Sequence, residues 1–283
     1  MTLPPRTRFA PSPTGYLHLG HAFAALSAAR AADRTGGEML LRIEDIDQSR
    51  CRPEFEAAIY EDLSWLGLRW PKPVRRQSEH FADYAAELAR LDDAGLIYPC
   101  FCTRAAIQRE IAQSPSAPHG PDGRIYPGIC RNLDPQEATG RRAAGEAFAL
   151  RLDSAKARAA ASPDLFFEDE TRGRITAQPE KFGDVVLARK DTPTSYHLAV
   201  TVDDHLQAVT LVTRGEDLFE ATHVHRLLQD LLGYTPLRYA HHRLLTNPGG
   251  KRYAKREDAV TLRALRDAGE TREQVIARLQ PLG

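Results

Sequence analysis

The amino-acid sequence predicts an α/β protein with a doubly wound, largely parallel sheet of the nucleotide-binding type. Two observations support this fold class. Residues 6–10 have strand character, and apolar residues recur at helical spacing from Leu19 onward. After a Gly36-Gly37 turn, residues 38–43 form a nearly continuous apolar strand of the kind that parallel sheets bury. This strand–helix–strand unit implies a right-handed crossover, and ligands of such sheets bind beyond the carboxyl ends of the strands.

The junction between the first strand and the first helix predicts a phosphate site. Pro11 and Pro13 forbid regular structure there, and the free N–H groups of the helix N-terminus point at the turn. Gly20 lets a ligand approach the backbone, and His18 and His21 lie one helical turn apart, so both can donate to a polyphosphate. The alternative is a capped surface helix with two solvated histidines.

Charged residues at other predicted strand ends indicate an amino-acid ligand. Arg8 ends the first strand, Arg214 ends a later one, and the planar guanidinium of arginine suits a carboxylate group. Glu44 follows the second strand and can pair with an ammonium group, while the Tyr196 hydroxyl can donate or accept. Any one of these residues alone would be read as part of a surface ion pair, so their joint placement carries the argument.

The rest of the chain predicts an insertion between two halves of the nucleotide-binding fold. Helices are predicted over residues 53–66, 79–94, 103–113, 218–232, 261–268 and 271–279, and strands over residues 147–152, 165–168, 185–189, 196–202, 208–214 and 238–241. The character changes near Pro99, and a long Pro/Gly/Ser loop follows over residues 114–123. We therefore expect three parts: residues 1–97, an inserted α+β part over residues 98–189, and residues 190–283.

Three of the four cysteines are grouped as expected for a metal site. Cys100 and Cys102 lie on one turn, and Cys130 returns to them after the loop. Three thiolates and one further ligand would hold Zn²⁺, and the chemistry leaves either His119 or Tyr126 as the fourth. The alternative is three unconnected buried thiols.

The composition sets the remaining expectations. The chain has 38 basic and 38 acidic residues, so no overall field attracts nucleic acid and RNA contacts must come from local patches. The N-terminus lacks the apolar segment of a signal peptide, and no apolar run approaches a membrane span. We therefore expect a cytoplasmic protein without a membrane partner, and we expect a monomer.

The run from Arg8 to His21, ending in His18-Leu19-Gly20-His21, resembles the first signature of class I aminoacyl-tRNA synthetases, in their glutamyl branch. Residues 252–256 resemble the "KMSKS" loop of the same enzymes. The resemblance implies that His18, Gly20, His21 and Lys255 bind ATP and that His18, His21 and Lys255 are catalytic. Arg252 and Arg256 depart from the usual lysine and serine of that loop.

The resemblance also implies the other site residues and the partners. In this branch the amino acid is held at the positions that match Arg8, Phe9, Ala10, Pro11, Ser12, Glu44, Tyr196 and Arg214. The zinc motif of the branch selects Tyr126, so the implied ligands are Cys100, Cys102, Tyr126 and Cys130, and residues 98–189 become a zinc-binding, acceptor-type subdomain.

The chain resembles the short paralogues of the glutamyl enzymes, which lack a helical anticodon-binding part. Those proteins activate L-glutamate with ATP and Mg²⁺ and transfer it to the queuosine base in the anticodon loop of tRNA(Asp). Our candidate RNA surface is the insertion, with Arg104, Arg109, Arg124 and Arg131. The alternatives are charging of tRNA(Glu) at its 3′ end, ligation of glutamate to a small acceptor, and a non-catalytic RNA-binding module.

Overall fold

A computed structural model describes residues 5–113, 119–121, 123–245 and 260–279. The predicted turn over residues 247–250 and the predicted basic loop, with Arg252, Lys255 and Arg256, lie outside the described residues. Residues 114–118 and 122 of the long loop lie outside them too, and so do the side chains of His119 and Arg124.

The helices and strands alternate along most of the chain. The strands are β1 (Arg6–Phe9), β2 (Glu38–Ile43), β3 (Arg75–Arg76), β4 (Ile97–Cys100), β5 (His119–Gly120), β6 (Gly123–Arg124), β7 (Ala149–Leu152), β8 (Phe166–Asp169), β9 (Gly173–Thr176), β10 (Val186–Ala188), β11 (Leu211–Gly215) and β12 (Arg238–His242). The helices are α1 (Leu19–Arg34), α2 (Pro53–Trp65), α3 (Phe81–Asp93), α4 (Arg104–Gln113), α5 (Pro135–Ala143), α6 (Ser154–Ala160), α7 (Tyr196–Leu206), α8 (Ala221–Leu231), α9 (Leu262–Asp267) and α10 (Arg272–Leu279).

Parallel strands form the centre of the molecule, as predicted. β1 pairs parallel with β2, with Arg8 opposite Leu40, and β2 pairs parallel with β3. In a second sheet β11, β12 and β8 are parallel, and β9 is antiparallel to β8. β1 lies beside β11, where the Thr210 N–H donates to the Arg6 carbonyl at 2.9 Å. The carboxyl ends of β1, β2 and β11 therefore meet at one edge.

One predicted strand is wrong. Residues 196–202 belong to helix α7, which Ser195 begins by accepting the Leu198 N–H on its side chain. The segment looks like a strand because Leu198 to Asp204 are all buried. A helix buried on every face loses the polar stripe that reveals its period, so its sequence resembles a buried strand.

The middle segment contains a separate antiparallel sheet in the order β10–β7–β4. Strand β8, which also lies within residues 98–189, instead pairs parallel with β12 of the central sheet. One hydrophobic cluster includes Leu152 and Leu187 of this segment together with Leu198 and Val212. Packing is thus continuous across residue 190, and the three-part division stays a prediction.

The C-terminal helices close over the junction of β1 and α1. The Leu262 N–H donates to the Leu17 carbonyl at 2.8 Å, and Leu262 and Val275 join the hydrophobic cluster that contains Phe9 and Phe23. None of the described helices combines the length and apolar composition that crossing a membrane requires.

Candidate active site

The turn between β1 and α1 places two imidazole rings together at the helix N-terminus. His18 is the N-cap and accepts the Gly20 N–H on Nδ1 at 3.1 Å, while His21 Nδ1 accepts the His18 N–H at 3.2 Å. The two ring centroids are 3.8 Å apart. Because each Nδ1 accepts, each neutral ring carries its proton on Nε2. The sequence predicted that the two histidines share a face of the helix. In the structure each imidazole accepts a backbone N–H at the start of α1, so the two side chains form a reciprocal cap.

Glycine at position 20 has a steric reason as well. A Cβ there would lie 3.0 Å from His18 Cε1, which is tighter than ordinary contact, so the capping imidazole would have to shift to accept a side chain. The turn before the helix is fixed by two backbone bonds. The Pro11 carbonyl accepts the Glu44 N–H and the Pro13 carbonyl accepts the Arg52 N–H, both at 3.0 Å.

Arg8 and Arg42 share one buried carboxylate behind the strand ends. Arg8 Nε donates to Asp204 Oδ1 at 3.1 Å, and Arg42 Nη1 donates to the same oxygen at 2.8 Å. Arg8 Nη1 also donates to the Thr213 carbonyl at 3.1 Å. Burial alone raises the pKa of the Asp204 carboxyl, but Arg8 and Arg42 outweigh burial and hold the pKa below its ordinary value.

Glu44 joins this group through Arg42, whose Nη2 donates to Glu44 Oε1 at 3.2 Å. Burial raises the pKa of the Glu44 carboxyl, although Arg42 and Arg8 lower it. A ligand ammonium beside Glu44 would favour the ionised carboxylate, so binding and ionisation would reinforce each other.

Arg214 is held by a chain of polar groups on the other side. Its Nε donates to His241 Nε2 at 3.2 Å, and its Nη2 donates to Thr222 Oγ1 at 2.6 Å. Asp169 Oδ2 lies 2.6 Å from His241 Nδ1, which places the imidazole proton on Nδ1 and leaves Nε2 as the acceptor. Asp169 therefore orients His241, and His241 orients Arg214.

Neutral histidines surround the Arg214 guanidinium. Its Nη1 lies 3.1 Å from His225 Nδ1, and His225 Nε2 lies 3.1 Å from His197 Nδ1. Burial and the positive charge of Arg214 lower the pKa of His197 to about 4. The same two causes lower the pKa of His241 to about 4, although Asp169 opposes them. Neutral rings accept from the guanidinium, which positions this cation without neutralising it.

Four predicted residues are thereby brought together. The Tyr196 hydroxyl is 3.5 Å from Arg214 Nη1, Arg8 binds the carbonyl of the residue before Arg214, and Glu44 reaches Arg8 through Arg42 and Asp204. As predicted, all three charged residues lie at strand ends: Arg8 and Arg214 are the last residues but one of β1 and β11, and Glu44 directly follows β2. Tyr196 is instead the first residue of α7.

The segment 9–12 contributes mainly backbone and packing. Phe9 is buried in the hydrophobic core, and Pro11 is buried beside Glu44. Ala10 is partly buried and Ser12 is exposed. Phe9 thus anchors the end of β1, while Ser12 is accessible at the turn.

Sequence reasoning missed several residues of the network. Arg42 is fully buried inside an apolar strand. A charged residue within an apolar run could have indicated a buried ion pair at this position. Asp204 interrupts the apolar α7 in the same way. Asp169 and His241 had no comparable signal, because Asp169, Arg214 and His241 lie far apart in the sequence and only the fold brings them together.

The three grouped cysteines meet, and Tyr126 meets them. The Sγ atoms of Cys100, Cys102 and Cys130 lie within 4.8 Å of one another. The Tyr126 hydroxyl lies 3.4 Å from Cys100 Sγ and 3.5 Å from Cys102 Sγ, and it accepts the Cys130 N–H at 2.9 Å. Arg151 lies over the Tyr126 ring at 3.9 Å. Cys51 is remote from this group in sequence and is a free thiol.

Comparison with known proteins gives a consistent result. The family model described as "tRNA synthetases class I (E and Q), catalytic domain" matches residues 5–283. The chain is 48% identical over 271 residues to the glutamyl-Q tRNA(Asp) synthetase of Rhodobacter capsulatus, an alignment that covers 93% of this chain and 95% of that protein. It is 38% identical over 280 residues to the glutamate–tRNA ligase of Aquifex aeolicus, covering 98% of this chain and 57% of that protein.

A solved structure agrees with the sequence comparison. The glutamate tRNA ligase from Elizabethkingia meningosepticum superposes with a TM-score of 0.73 at 26% identity, and the match covers 94% of this chain and 53% of that chain. The α/β fold with its parallel sheet is therefore shared, and the match extends over about half of the larger ligase.

Proposed function

The chain belongs to the catalytic-domain family of the class I tRNA synthetases for glutamate and glutamine, and from that membership we propose that it activates L-glutamate with ATP and transfers the glutamyl group to the queuosine base of tRNA(Asp). The observation that supports glutamate as the substrate is the grouping of four side chains at one edge of the sheet, namely Arg8, Glu44, Tyr196 and Arg214. Relatives named for this reaction, at 42–48% identity over most of the chain, support the acceptor.

The glutamate site uses complementary charges. Arg8 and Arg214 are assigned to the two carboxylates of the substrate, Glu44 to its ammonium group, and the Tyr196 hydroxyl to a polar contact beside Arg214. Four of the five N–H groups of Arg214 have acceptors within the described residues, so the guanidinium is already oriented before the substrate arrives. The backbone of residues 9–12 lines the substrate on the strand side.

The activation step needs positioning and charge stabilisation more than a protein nucleophile. The α-carboxylate of glutamate attacks the α-phosphate of ATP, and pyrophosphate leaves with its Mg²⁺. His18, Gly20, His21 and Lys255 are assigned to the phosphates, with the imidazole Nε2–H groups as donors. A hydroxyl of the modified base then attacks the mixed anhydride, and AMP leaves.

Cys100, Cys102, Tyr126 and Cys130 are the proposed ligands of one structural Zn²⁺. The fit rests on contacts of 3.4 and 3.5 Å among these sulfur and oxygen atoms. Tetrahedral zinc with bonds of about 2.3 Å places its ligand atoms about 3.8 Å apart, close to that spacing. The Cys130 N–H bond to the phenol oxygen would stabilise a phenolate, and the bound ion would tie the ends of the loop together.

Residues 98–189 are the proposed zinc-binding subdomain that contacts RNA. Arg104 and Arg109 are exposed on α4, so both are accessible to phosphate. Arg131 instead pairs with the buried Asp184 at 2.6 Å, which makes it a weaker candidate. A protein with these partners acts in the cytoplasm, and we expect it to be a monomer.

Two linked assays test the proposed function. Glutamate-dependent ATP–pyrophosphate exchange should occur without tRNA, whereas aspartate and glutamine should support little exchange. Labelled glutamate should then be recovered in the anticodon fragment after ribonuclease cleavage of queuosine-containing tRNA(Asp). Recovery at the 3′ end of tRNA(Glu) would favour the minimal synthetase, transfer without RNA would favour a small acceptor, and absence of exchange would refute activation.

A further inference from the structure

A second cleft lies outside the glutamate and ATP sites, between the last turns of α2 and the connector that leads to β3. Its volume is about 640 Å³. We call it the Trp70 cleft, and its principal lining residues are Tyr60, Leu68, Arg69, Trp70, Lys72 and Val74.

Aromatic rings form one wall of the Trp70 cleft. The rings of Tyr60 and Trp70 are stacked, with centroids 6.2 Å apart and an angle of 29° between the planes. Tyr60 is fixed because its hydroxyl donates to Glu56 Oε1 at 3.1 Å. The Trp70 indole N–H is buried and has no acceptor among the described residues. Because that N–H is closed to solvent, this wall offers a ligand the faces of its aromatic rings.

The other wall carries positive charge. Arg69 and Lys72 are exposed and line the cleft, and within the part of the chain that is described neither forms an ion pair. No carboxylate is among the described lining residues. The nearby Glu56 already accepts hydrogen bonds from Tyr60 and, at 2.9 Å, from Arg76. The cleft therefore favours a planar ligand that carries an anion.

The Trp70 cleft is near the strand ends that hold the proposed site. Glu56 lies one helical turn before Tyr60, and Arg76, which binds Glu56, also lies 3.8 Å from Asp45, the residue after Glu44. An RNA loop that presents one base to the strand ends can therefore place another unpaired nucleotide in the cleft.

We infer that the Trp70 cleft binds an unpaired nucleotide of the RNA substrate, with the base against Tyr60 and Trp70 and a flanking phosphate at Arg69 and Lys72. This inference rests on the proposed function, since it needs an RNA whose acceptor lies in a loop. Aromatic side chains stack on unpaired bases, and Arg and Lys neutralise the adjoining phosphates. Such a contact adds affinity with little dependence on base identity.

The test uses the full chain and queuosine-containing tRNA(Asp). Arg69→Gln/Lys72→Gln removes both charges from exposed positions, and Trp70→Phe keeps a ring but removes the indole N–H. We expect the double variant to bind tRNA about 10-fold more weakly. The slope of log Kd against log salt concentration should fall by about 0.7 for each phosphate that is no longer neutralised. We expect Trp70→Phe to weaken binding about 5-fold, because the smaller ring keeps only part of the stacking area of the indole.

Controls separate this inference from the proposed function. Glutamate-dependent exchange should stay within about 2-fold for these variants, because exchange involves no RNA. Arg238→Gln is the matched control, since Arg238 is exposed at the amino end of β12 and pairs with Glu170; its tRNA affinity should not change. Unchanged tRNA affinity and salt slope in the double variant would overturn the inference, even with normal exchange.

A further arm distinguishes RNA from a free nucleotide. Uridine monophosphate should quench the tryptophan fluorescence weakly, and tRNA should displace it. Quenching by the mononucleotide that tRNA cannot displace would overturn the RNA assignment and identify a small-molecule site. Absence of exchange in the unmodified protein would refute the proposed function instead.

Discussion

The strand-end network and the cysteine group show two ways of building a site. Around Arg8, Arg42 and Asp204, opposite charges are buried together and pair with one another. Around Cys100, Cys102 and Cys130, the polar atoms have mainly one another and Tyr126 as partners. The first region balances its charges internally, whereas deprotonation of the second would leave a concentrated negative charge. Folding alone therefore organises the first region, whereas the second has the composition that the proposed zinc ion would organise.

The largest expected effect is at the shared carboxylate. Asp204→Asn leaves Arg8 and Arg42 buried without their common counter-charge, and we expect a loss of about 3–5 kcal/mol in the free energy of unfolding. Urea denaturation measures this loss. Asp191→Asn is the control, since the Asp191 side chain is 69% exposed and its pair with Arg189 should contribute under about 1 kcal/mol. Equal stabilities of the two variants would show that the network is not charge-balanced as described.

The cysteine group should respond to metal instead. If four ligands share the binding free energy of a structural zinc, Cys130→Ser loses roughly 3 kcal/mol, or about 100-fold in zinc affinity. Competition with a chromophoric chelator measures this affinity. Cys51→Ser should retain one zinc per chain. Purified protein with no bound zinc, or Cys51→Ser losing zinc as Cys130→Ser does, would contradict the assignment.

Substitution of Arg214 tests orientation within the network. Arg214→Lys keeps the charge but loses the fork that His241 and Thr222 hold, so we expect KM for glutamate to rise about 10- to 100-fold. The KM for ATP should change little in the exchange assay. Arg189→Lys, at a surface ion pair, should leave both constants unchanged. An equal rise in both Michaelis constants for Arg214→Lys would argue for a general folding defect.

The smallest effect concerns a buried carboxylate with incomplete pairing. Neither oxygen of Asp62 has a hydrogen-bond partner among the described residues, and Arg266 Nη1 is 3.4 Å away. Burial raises the pKa of Asp62 from 3.8 to about 6. The folded state therefore binds this proton more tightly than the unfolded state. The stabilisation that comes from protonating Asp62 is therefore complete below about pH 4 and is lost as the pH rises to about 6.

Replacing Asp62 should remove this pH dependence. We expect Asp62→Asn to be about 1–2 kcal/mol more stable than the original protein at pH 7.5 and to show no gain near pH 4. Urea denaturation at both values measures the difference. The control Asp267→Asn changes a side chain that is 66% exposed, and it should show no pH-dependent gain. Equal gains at both pH values would exclude ionisation of Asp62 as the cause.

What the sequence alone determined was local. Three features are short-range: the proline turn, the spacing of His18 and His21, and the Cys100 and Cys102 pair. Periodicity and residue chemistry therefore predicted that these residues would meet or share a helix end. Strand ends could be predicted for Arg8 and Glu44 because apolar runs mark buried parallel strands.

Only the tertiary structure decided which distant groups meet. The sheet places Asp169 beside His241 and His241 beside Arg214, and α7 brings Asp204 between Arg8 and Arg42. Burial on all faces concealed the helical period of α7, so its sequence predicted a strand. Periodicity reports the surroundings of a residue along its own element, whereas the partners of a buried charge are chosen by how separate elements pack.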